Sequence, residues 1–160
     1  MTRPPPFVHR NLPRLLLQAR EVVMTHTRPS LRDHGLSDQQ WRVLRVLGEH
    51  AEEADGIETG RVAREAFLLG PSLTGVLARM ERDGLIARAR CPQDARRTVV
   101  RATALGLAKV QALSQTIEAH YAWMEQQLGK AHLKALYELL DGVIALEAVA
   151  MAAAPNLKEE

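Results

Sequence analysis

One change of hydrophobic period constrains this chain more than any other feature of its sequence. Between Gly84 and Ala102, apolar residues stop recurring every three to four positions and instead alternate, as LIARARC and TVVRA, on either side of the polar loop PQDARR. Two short alternating runs around such a loop predict a β-hairpin. The segments before and after it have helical spacing. We therefore expect a mainly α protein with one small β-hairpin.

The composition supports a helical protein and limits its setting. The chain has 160 residues, 46% of them apolar and only 4% aromatic, so Leu, Val and Ala must fill the core. This length suits a single domain over residues 1–160, and this composition favours helix. No apolar window is long enough to span a membrane, and the N-terminus lacks the apolar region of a signal peptide. One cysteine cannot form an internal disulfide, which favours the reducing cytoplasm.

Capping residues predict where the first two helices lie. Asn11 is a good N-cap for a helix that Pro29 and Gly35 are expected to break or end. Ser37 and Gln40 form the S-x-x-Q pattern of a capping box, which predicts the start of the second helix.

The remaining helices flank the hairpin. A short helical stretch covers residues 58–67, and the helix after it is expected to end at Gly84, a suitable C′ glycine. Thr103 is placed to cap a long helix that stops at Gly129, and a last helix is expected to run to Pro155.

The order of these elements predicts a winged helix-turn-helix over residues 36–102. In such a unit a short helix, a tight turn and a second helix precede a two-stranded hairpin, which forms the wing. The second helix lies in the DNA major groove with its N-terminal residues nearest the bases.

The N-terminal half of that second helix carries the first candidate DNA contacts. Ser72 and Thr74 have small side chains that can bond phosphates or base edges, and Gly75 allows close backbone approach. Arg79 lies seven positions after Ser72 and so shares its helix face. The simpler alternative is that Ser72 only caps the helix and that the arginine side chains of this helix are solvated.

The loop of the predicted wing is strongly basic. Residues 84–101 contain five arginines and one acid, Asp94. An arginine at a wing tip can reach the minor groove or the flanking phosphates. We expect Arg96 and Arg97 to point in opposite directions if the strand has begun, so that one reaches DNA and the other packs back. Asp94 is expected to accept backbone N–H bonds and pair with Arg96, which would order the loop before DNA arrives.

The same stretch carries a resemblance to a known family. Residues 94–106, DARRTVVRATALG, resemble the wing signature D-x-R-x-x-x-V-x-L-T-x-x-G of MarR-family transcriptional regulators, with Ala102 in place of the usual Leu. PSLTGVLARMERDGLI is similar to the recognition helix of that family and its exit, and LSDQQWRVL to its second helix. The first two helices are also similar to the branch that represses operons for degrading homoprotocatechuate and related aromatic acids.

The resemblance implies a homodimeric repressor that binds double-stranded DNA at a pseudo-palindromic operator. Residues 1–35 and 103–154 would then supply the dimerisation helices. The sequence agrees, because the last helix has a wide apolar face that a lone protomer has little to pack against. That face comprises Leu133, Leu136, Tyr137, Leu140, Val143, Ile144 and Leu146.

The family also implies a pocket for an effector beside the first two helices. The expected ligand is a small aromatic carboxylate of the hydroxyphenylacetate or hydroxynicotinate type. Arg14 and Gln18 share one face of the first helix, and Trp41 and Arg45 share one face of the second. An arginine could hold the carboxylate, Trp41 could stack on the ring, and His9 could close the pocket. The alternatives are core packing for Trp41 and a solvated face for the arginines.

The sequence also leaves three other functions open. Cys91 could sense oxidants, although no second cysteine could resolve it, and a group comprising His50, Glu52, Glu53 and Asp55 could sense a metal. A third possibility is a helical interaction module whose basic hairpin binds a protein or a membrane. The sequence has no G-x-S-x-G motif, phosphate loop or paired Cys/His constellation, so we expect neither an enzyme nor a cofactor.

Overall fold

The computed structural model describes residues 7–153, with side chains to residue 146. Its elements follow the chain as α1 (Leu12–Asp33), α2 (Asp38–Glu49), β1 (Ile57–Glu58), α3 (Thr59–Glu65), α4 (Gly70–Arg82), β2 (Ile86–Arg90), β3 (Thr98–Ala102), α5 (Ala104–Leu128) and α6 (Lys130–Ala153). Of the described residues, those up to Ile117 form one compact unit and those from Glu118 form a second. None of the described helices has the length and apolar character needed to cross a membrane.

The first unit is built around one apolar core. α2 and α4 each turn one face inward, and α3, the sheet and the start of α5 close over them. The most completely buried side chains are Leu31, Val43, Leu44, Val62, Leu73, Val76, Leu77, Met80, Val100 and Leu113. None of these is aromatic, which agrees with the low aromatic content of the sequence.

α1 begins at the predicted cap but ends later than Pro29. The Asn11 side chain accepts a hydrogen bond from the Arg14 N–H at 3.0 Å. Pro29 lies inside the helix, so the expectation that it breaks the segment was wrong. Thr27 and Leu31 on either side are buried, and that packing outweighs the one backbone hydrogen bond that a proline removes. Gly35, at φ 70°, ends the helix.

The sheet has three antiparallel strands in the order β1-β3-β2, rather than the two predicted. β2 and β3 form the predicted hairpin, with Ile86 opposite Ala102 and Arg90 opposite Thr98. β1 adds two residues on the other side of β3. Just before β1 the chain passes so close to β3 that a Cβ on Gly56 would lie 2.7 Å from the Val100 carbonyl oxygen. A two-residue strand is too short to show any period, which is why the sequence did not predict it.

The end of α4 is fastened to the start of α5. Gly84 adopts φ 71°, and the Leu85 N–H bonds the Met80 carbonyl at 2.9 Å, as expected of a C′ glycine. The Thr103 hydroxyl donates to the Gly84 carbonyl at 2.6 Å and accepts from the Gly106 N–H at 3.1 Å. Thr103 therefore caps α5, as predicted, and also holds the turn that follows α4.

Large apolar side chains remain exposed on the helices at both ends of the chain. On α1, Leu17 is 62% and Val22 64% exposed. On α6, Leu133 is buried, but Leu136, Tyr137, Leu139, Val143, Ile144 and Leu146 are exposed. The predicted end of α6 at Pro155 lies outside the described residues, as do residues 1–6 of the first predicted dimerisation segment.

We predict that Gly106→Ala destabilises the protein. A Cβ at this position would lie 2.2 Å from the Leu85 carbonyl oxygen and 3.2 Å from a Leu44 methyl. Backbone cannot yield as a flexible side chain does, so the expected loss of unfolding free energy is about 1–3 kcal/mol. Chemical denaturation would measure it. Gly60→Ala is the control, because a Cβ there would meet only an Arg64 guanidinium nitrogen at 3.9 Å. Equal stability of the two variants would contradict the prediction.

Candidate nucleic-acid interface

α4 presents one buried and one exposed face. Leu73, Val76, Leu77 and Met80 point into the core, and Ser72, Thr74 and Arg79 are exposed on the other side. The helix begins at Gly70, so Ser72 lies inside its first turn and the capping alternative was wrong. The Thr74 hydroxyl donates to the Gly70 carbonyl at 3.1 Å, which leaves its oxygen able to accept. Within the described residues, the Ser72 hydroxyl and the Arg79 guanidinium have no hydrogen-bond partner.

Gly75 lies on the same side of α4 as Ser72 and Arg79. Packing within the protein does not require a glycine at this position. A Cβ there would meet only an Arg79 guanidinium nitrogen at 3.8 Å, an ordinary contact. Glycine inside a helix costs about 1 kcal/mol relative to alanine. The fold accepts that cost without any gain in packing, which agrees with close approach from outside the protein.

The wing loop is ordered by Asp94. Its Oδ1 accepts the Arg96 N–H at 3.0 Å, and its carbonyl accepts the Arg97 N–H at 2.9 Å. The Cys91 N–H closes the loop by bonding the Arg97 carbonyl at 2.9 Å. The predicted backbone role of Asp94 is therefore present in the structure.

The two wing arginines have different environments. Asp94 pairs with Arg97, at 3.4 Å, and not with Arg96 as predicted. Both arginines lie in the turn, since β3 starts only at Thr98, so strand alternation does not orient them. Arg97 also donates to Glu58 at 2.5 Å, and this bond, followed by the charges of Glu58 and Asp94, raises the pKa of Arg97. The Arg96 guanidinium is exposed and, in the described part of the chain, has no acidic partner.

Other arginines of the basic segment are partly neutralised. Arg88 forms an ion pair with Glu81 of α4, and its hydrogen bond holds the pKa of that carboxyl below its usual value. Arg90 donates to the Ala95 carbonyl at 3.0 Å. The Cys91 thiol donates to Gln93 at 3.0 Å. Because Arg88 is engaged by Glu81, the local charge offers less support for a reactive Cys91 than the sequence suggested.

Two of the residues proposed for metal sensing, His50 and Glu53, belong to an ion-pair cluster with Arg61 and Glu65. The His50 ring lies 3.0 Å from Glu53 and 2.7 Å from Glu65. Arg61 bonds both carboxylates, at 2.9 and 2.7 Å. The bond from Arg61, and then that from His50, lowers the pKa of Glu65. A guanidinium thus fills the space between the carboxylates, and no group of metal-ligating side chains occurs among the residues described.

The candidate effector residues form two groups. Arg14 and Gln18 line a shallow groove on α1, together with Arg10, Asn11 and Leu15. Trp41 is buried in the core, and the Arg45 guanidinium lies 5.8 Å from the centre of its ring and 3.1 Å from Glu49. His9 is exposed. Both predicted pairs are therefore neighbours, and core packing accounts for much of the Trp41 side chain.

The sequence did not single out the turn between α3 and α4. Phe67 is 84% and Leu69 79% exposed, and Arg42 of α2 donates to the Ala66 and Phe67 carbonyls at 3.0 Å each. The available signal was two large apolar residues close together in a turn, where polar residues are usual.

Comparisons with known proteins agree with this architecture. Residues 34–97 match the model of the MarR family. The chain is 38% identical, over 139 residues, to the homoprotocatechuate degradative operon repressor of Escherichia coli, which covers 87% of this chain and 91% of the relative.

Solved structures of transcriptional regulators have the same fold as this chain. The transcriptional regulator PA4135 superposes with a TM-score of 0.77 at 41% identity, covering 84% of this chain and 96% of its own. NadR in complex with 4-hydroxyphenylacetate also has a TM-score of 0.77, at 33% identity, covering 88% of this chain and 97% of its own.

Proposed function

Because this chain belongs to the MarR family of transcriptional regulators, we propose that it is a homodimeric, DNA-binding repressor of a catabolic operon, released by a small aromatic acid. As a repressor it acts in the cytoplasm, because the operator DNA that it binds lies there. The relative from Escherichia coli is named as the repressor of an operon that degrades an aromatic acid.

The single observation that carries DNA binding is the contrast between Arg96 and Arg97. Arg97 is tied to Glu58 and Asp94, whereas Arg96, on a turn fixed by Asp94, is exposed without an acidic partner in the described part of the chain. A preordered loop that leaves one guanidinium unpaired suits a phosphate or a minor groove. We assign DNA contact to this loop and to the exposed side of α4 at Ser72, Thr74, Gly75 and Arg79.

We divide the chain by role on the basis of exposure. Residues 36–102 would form the DNA-binding part, and residues 1–35 and 103–154 would make the dimer. The exposed apolar side chains of α1 and α6 support this division, because a second protomer could cover them. A twofold dimer would place two copies of α4 on successive major grooves, which requires a pseudo-palindromic operator.

The proposed effector site uses the two residue pairs on α1 and α2. Arg45 lies over the Trp41 ring and Arg14 lines the α1 groove, so each could bind a carboxylate. Gln18 and His9 could supply polar contacts to the ring substituents. The complex of NadR, 33% identical to this chain, contains 4-hydroxyphenylacetate, which has the expected chemistry.

We expect Arg96→Ala to weaken operator binding roughly tenfold or more while the dimer stays intact. The operator would be obtained by selecting duplexes from a random library with the unmodified protein, and affinity would be measured by gel shift. Arg32→Ala is the matched control, since it removes the same charge from an exposed position on α1. Wild-type affinity for the Arg96 variant would rule out the wing assignment.

Asp94→Ala should also weaken operator binding, although it removes a negative charge. It deletes the acceptor for the Arg96 N–H and the carboxylate beside Arg97, so the loop loses its order. Asp94→Asn retains an oxygen for the first bond and loses the ion pair, and should fall between wild type and Asp94→Ala. Tighter binding by both variants would mean that Asp94 only repels DNA.

The effector assignment predicts that 4-hydroxyphenylacetate raises the melting temperature and releases the operator. A ligand at 100 times its dissociation constant adds about 2.7 kcal/mol to the unfolding free energy. The alcohol 4-hydroxyphenylethanol, which lacks the carboxylate, should have neither effect at the same concentration. If Arg14→Ala and Arg45→Ala both keep the full response, the carboxylate is bound elsewhere.

A further inference from the structure

The turn between α3 and α4 exposes two large apolar side chains that the core does not use. Phe67 is 84% and Leu69 79% exposed, whereas Leu68 between them is only 8% exposed and belongs to the core. Single exposed apolar residues are common, but two beside a helix terminus form a patch. Burial in the core explains why residue 68 is apolar, but it does not explain the apolar side chains of Phe67 and Leu69.

The backbone of Phe67 makes the choice of residue more unusual. Its φ of 51° is the only positive value at a non-glycine position in residues 7–153. Glycine or asparagine adopts this conformation more readily than a residue with a bulky side chain. An exposed phenylalanine therefore costs stability here and gains no internal packing in return.

Hydrogen bonds hold the turn in this conformation. Arg42 donates to the carbonyls of Ala66 and Phe67, at 3.0 Å each. The Phe67 N–H bonds the Arg64 carbonyl at 3.2 Å, and the Leu68 N–H bonds the Ala63 carbonyl at 2.9 Å. The phenyl ring thus projects from a fixed backbone, and little ordering of the chain remains to be done when a partner arrives.

The position of the patch indicates which partner it meets. Leu69 is the N-cap residue of α4, so the patch adjoins the end of the helix assigned to the major groove. Arg64, three residues before Phe67, is exposed and forms no ion pair among the described residues. Apolar groups beside an unpaired arginine match DNA, whose major groove carries the thymine C5-methyl group next to phosphates.

We propose that Phe67 and Leu69 contact the operator duplex, with the Phe67 ring packed against a thymine methyl group at the edge of each half-site. The turn would then specify thymine at that position and add to the contacts of α4 and the wing. This inference rests on the proposed DNA binding.

The test uses the full chain and the duplex that the wild-type protein selects from a random library. Phe67→Asn suits the positive φ and removes the ring, so it should melt at or above the wild-type temperature. It should nevertheless bind the selected duplex at least about tenfold more weakly, the size expected for loss of one good base contact. Leu69→Ala should weaken binding to a smaller extent. Phe67→Gly repeats the first comparison with a second residue that tolerates this backbone.

Deoxyuridine identifies the group that is contacted, because it differs from thymidine only in lacking the methyl. Replacing each thymine of the selected duplex in turn should reveal one position per half-site where wild-type affinity falls. At that position the Phe67→Asn protein should bind the two duplexes equally. The Arg96→Ala protein should keep the full preference for thymine, since its contact is to another part of the duplex.

Three results would overturn the inference. The first is wild-type affinity of Phe67→Asn and Phe67→Gly for the selected duplex. The second is a response to deoxyuridine that persists in both variants. The third is dissociation of the dimer on either substitution, seen by light scattering, which would make the patch a subunit contact. If the wild-type protein selects no duplex at all while remaining dimeric, the proposed DNA binding fails and this inference fails with it.

Discussion

The junction between the end of α4 and the start of α5 determines where α4 and the β2–β3 hairpin, the elements proposed to contact DNA, lie. Thr103 holds the Gly84 carbonyl with its hydroxyl and the Leu85 carbonyl with its N–H, at 2.6 and 3.0 Å. Gly106 lets α5 approach so closely that any side chain there would strike the Leu85 carbonyl oxygen. The same few residues end α4, begin β2 and start α5. The hydrogen bonds of Thr103 and the close packing at Gly106 thus explain the threonine and glycine of the family signature.

Local chemistry made much of the fold predictable. Asn11, Ser37 and Gly84 act as caps in the structure as they do in the sequence pattern, because a cap depends on neighbouring backbone alone. The prediction from Pro29 was wrong for the opposite reason, because the helix continues through it where Leu31 is packed in the core, and that packing is not a local property of the sequence. β1 was missed because its two residues owe their conformation to β3, far away in sequence.

In the candidate site too, contacts between residues close in sequence could be predicted and contacts between distant residues could not. The bond from Asp94 to the Arg96 N–H spans two residues and could be predicted. The partner of Arg97 could not, since Glu58 lies 39 positions earlier and reaches the wing only through the pairing of β1 with β3. Arg88 and Glu81 illustrate the same point, as an acid on α4 neutralises a cation of the hairpin. The number of arginines in a segment therefore overstates the charge that it presents to DNA.

Arg42 has a consequence for communication within the protein. It follows Trp41 on α2 and donates hydrogen bonds to two carbonyls of the turn before α4. Its Nε is buried and has no hydrogen-bond partner among the described residues. Burial, and then the charge of Arg20, lowers the pKa of this guanidinium. α2 thus carries two of the proposed effector residues, Trp41 and Arg45, and also contacts the turn that leads into α4. A shift of α2 on effector binding would move the turn before α4 through these hydrogen bonds. If the effector then lowers the affinity for the operator, thermodynamic linkage requires the operator to lower the affinity for the effector by the same factor.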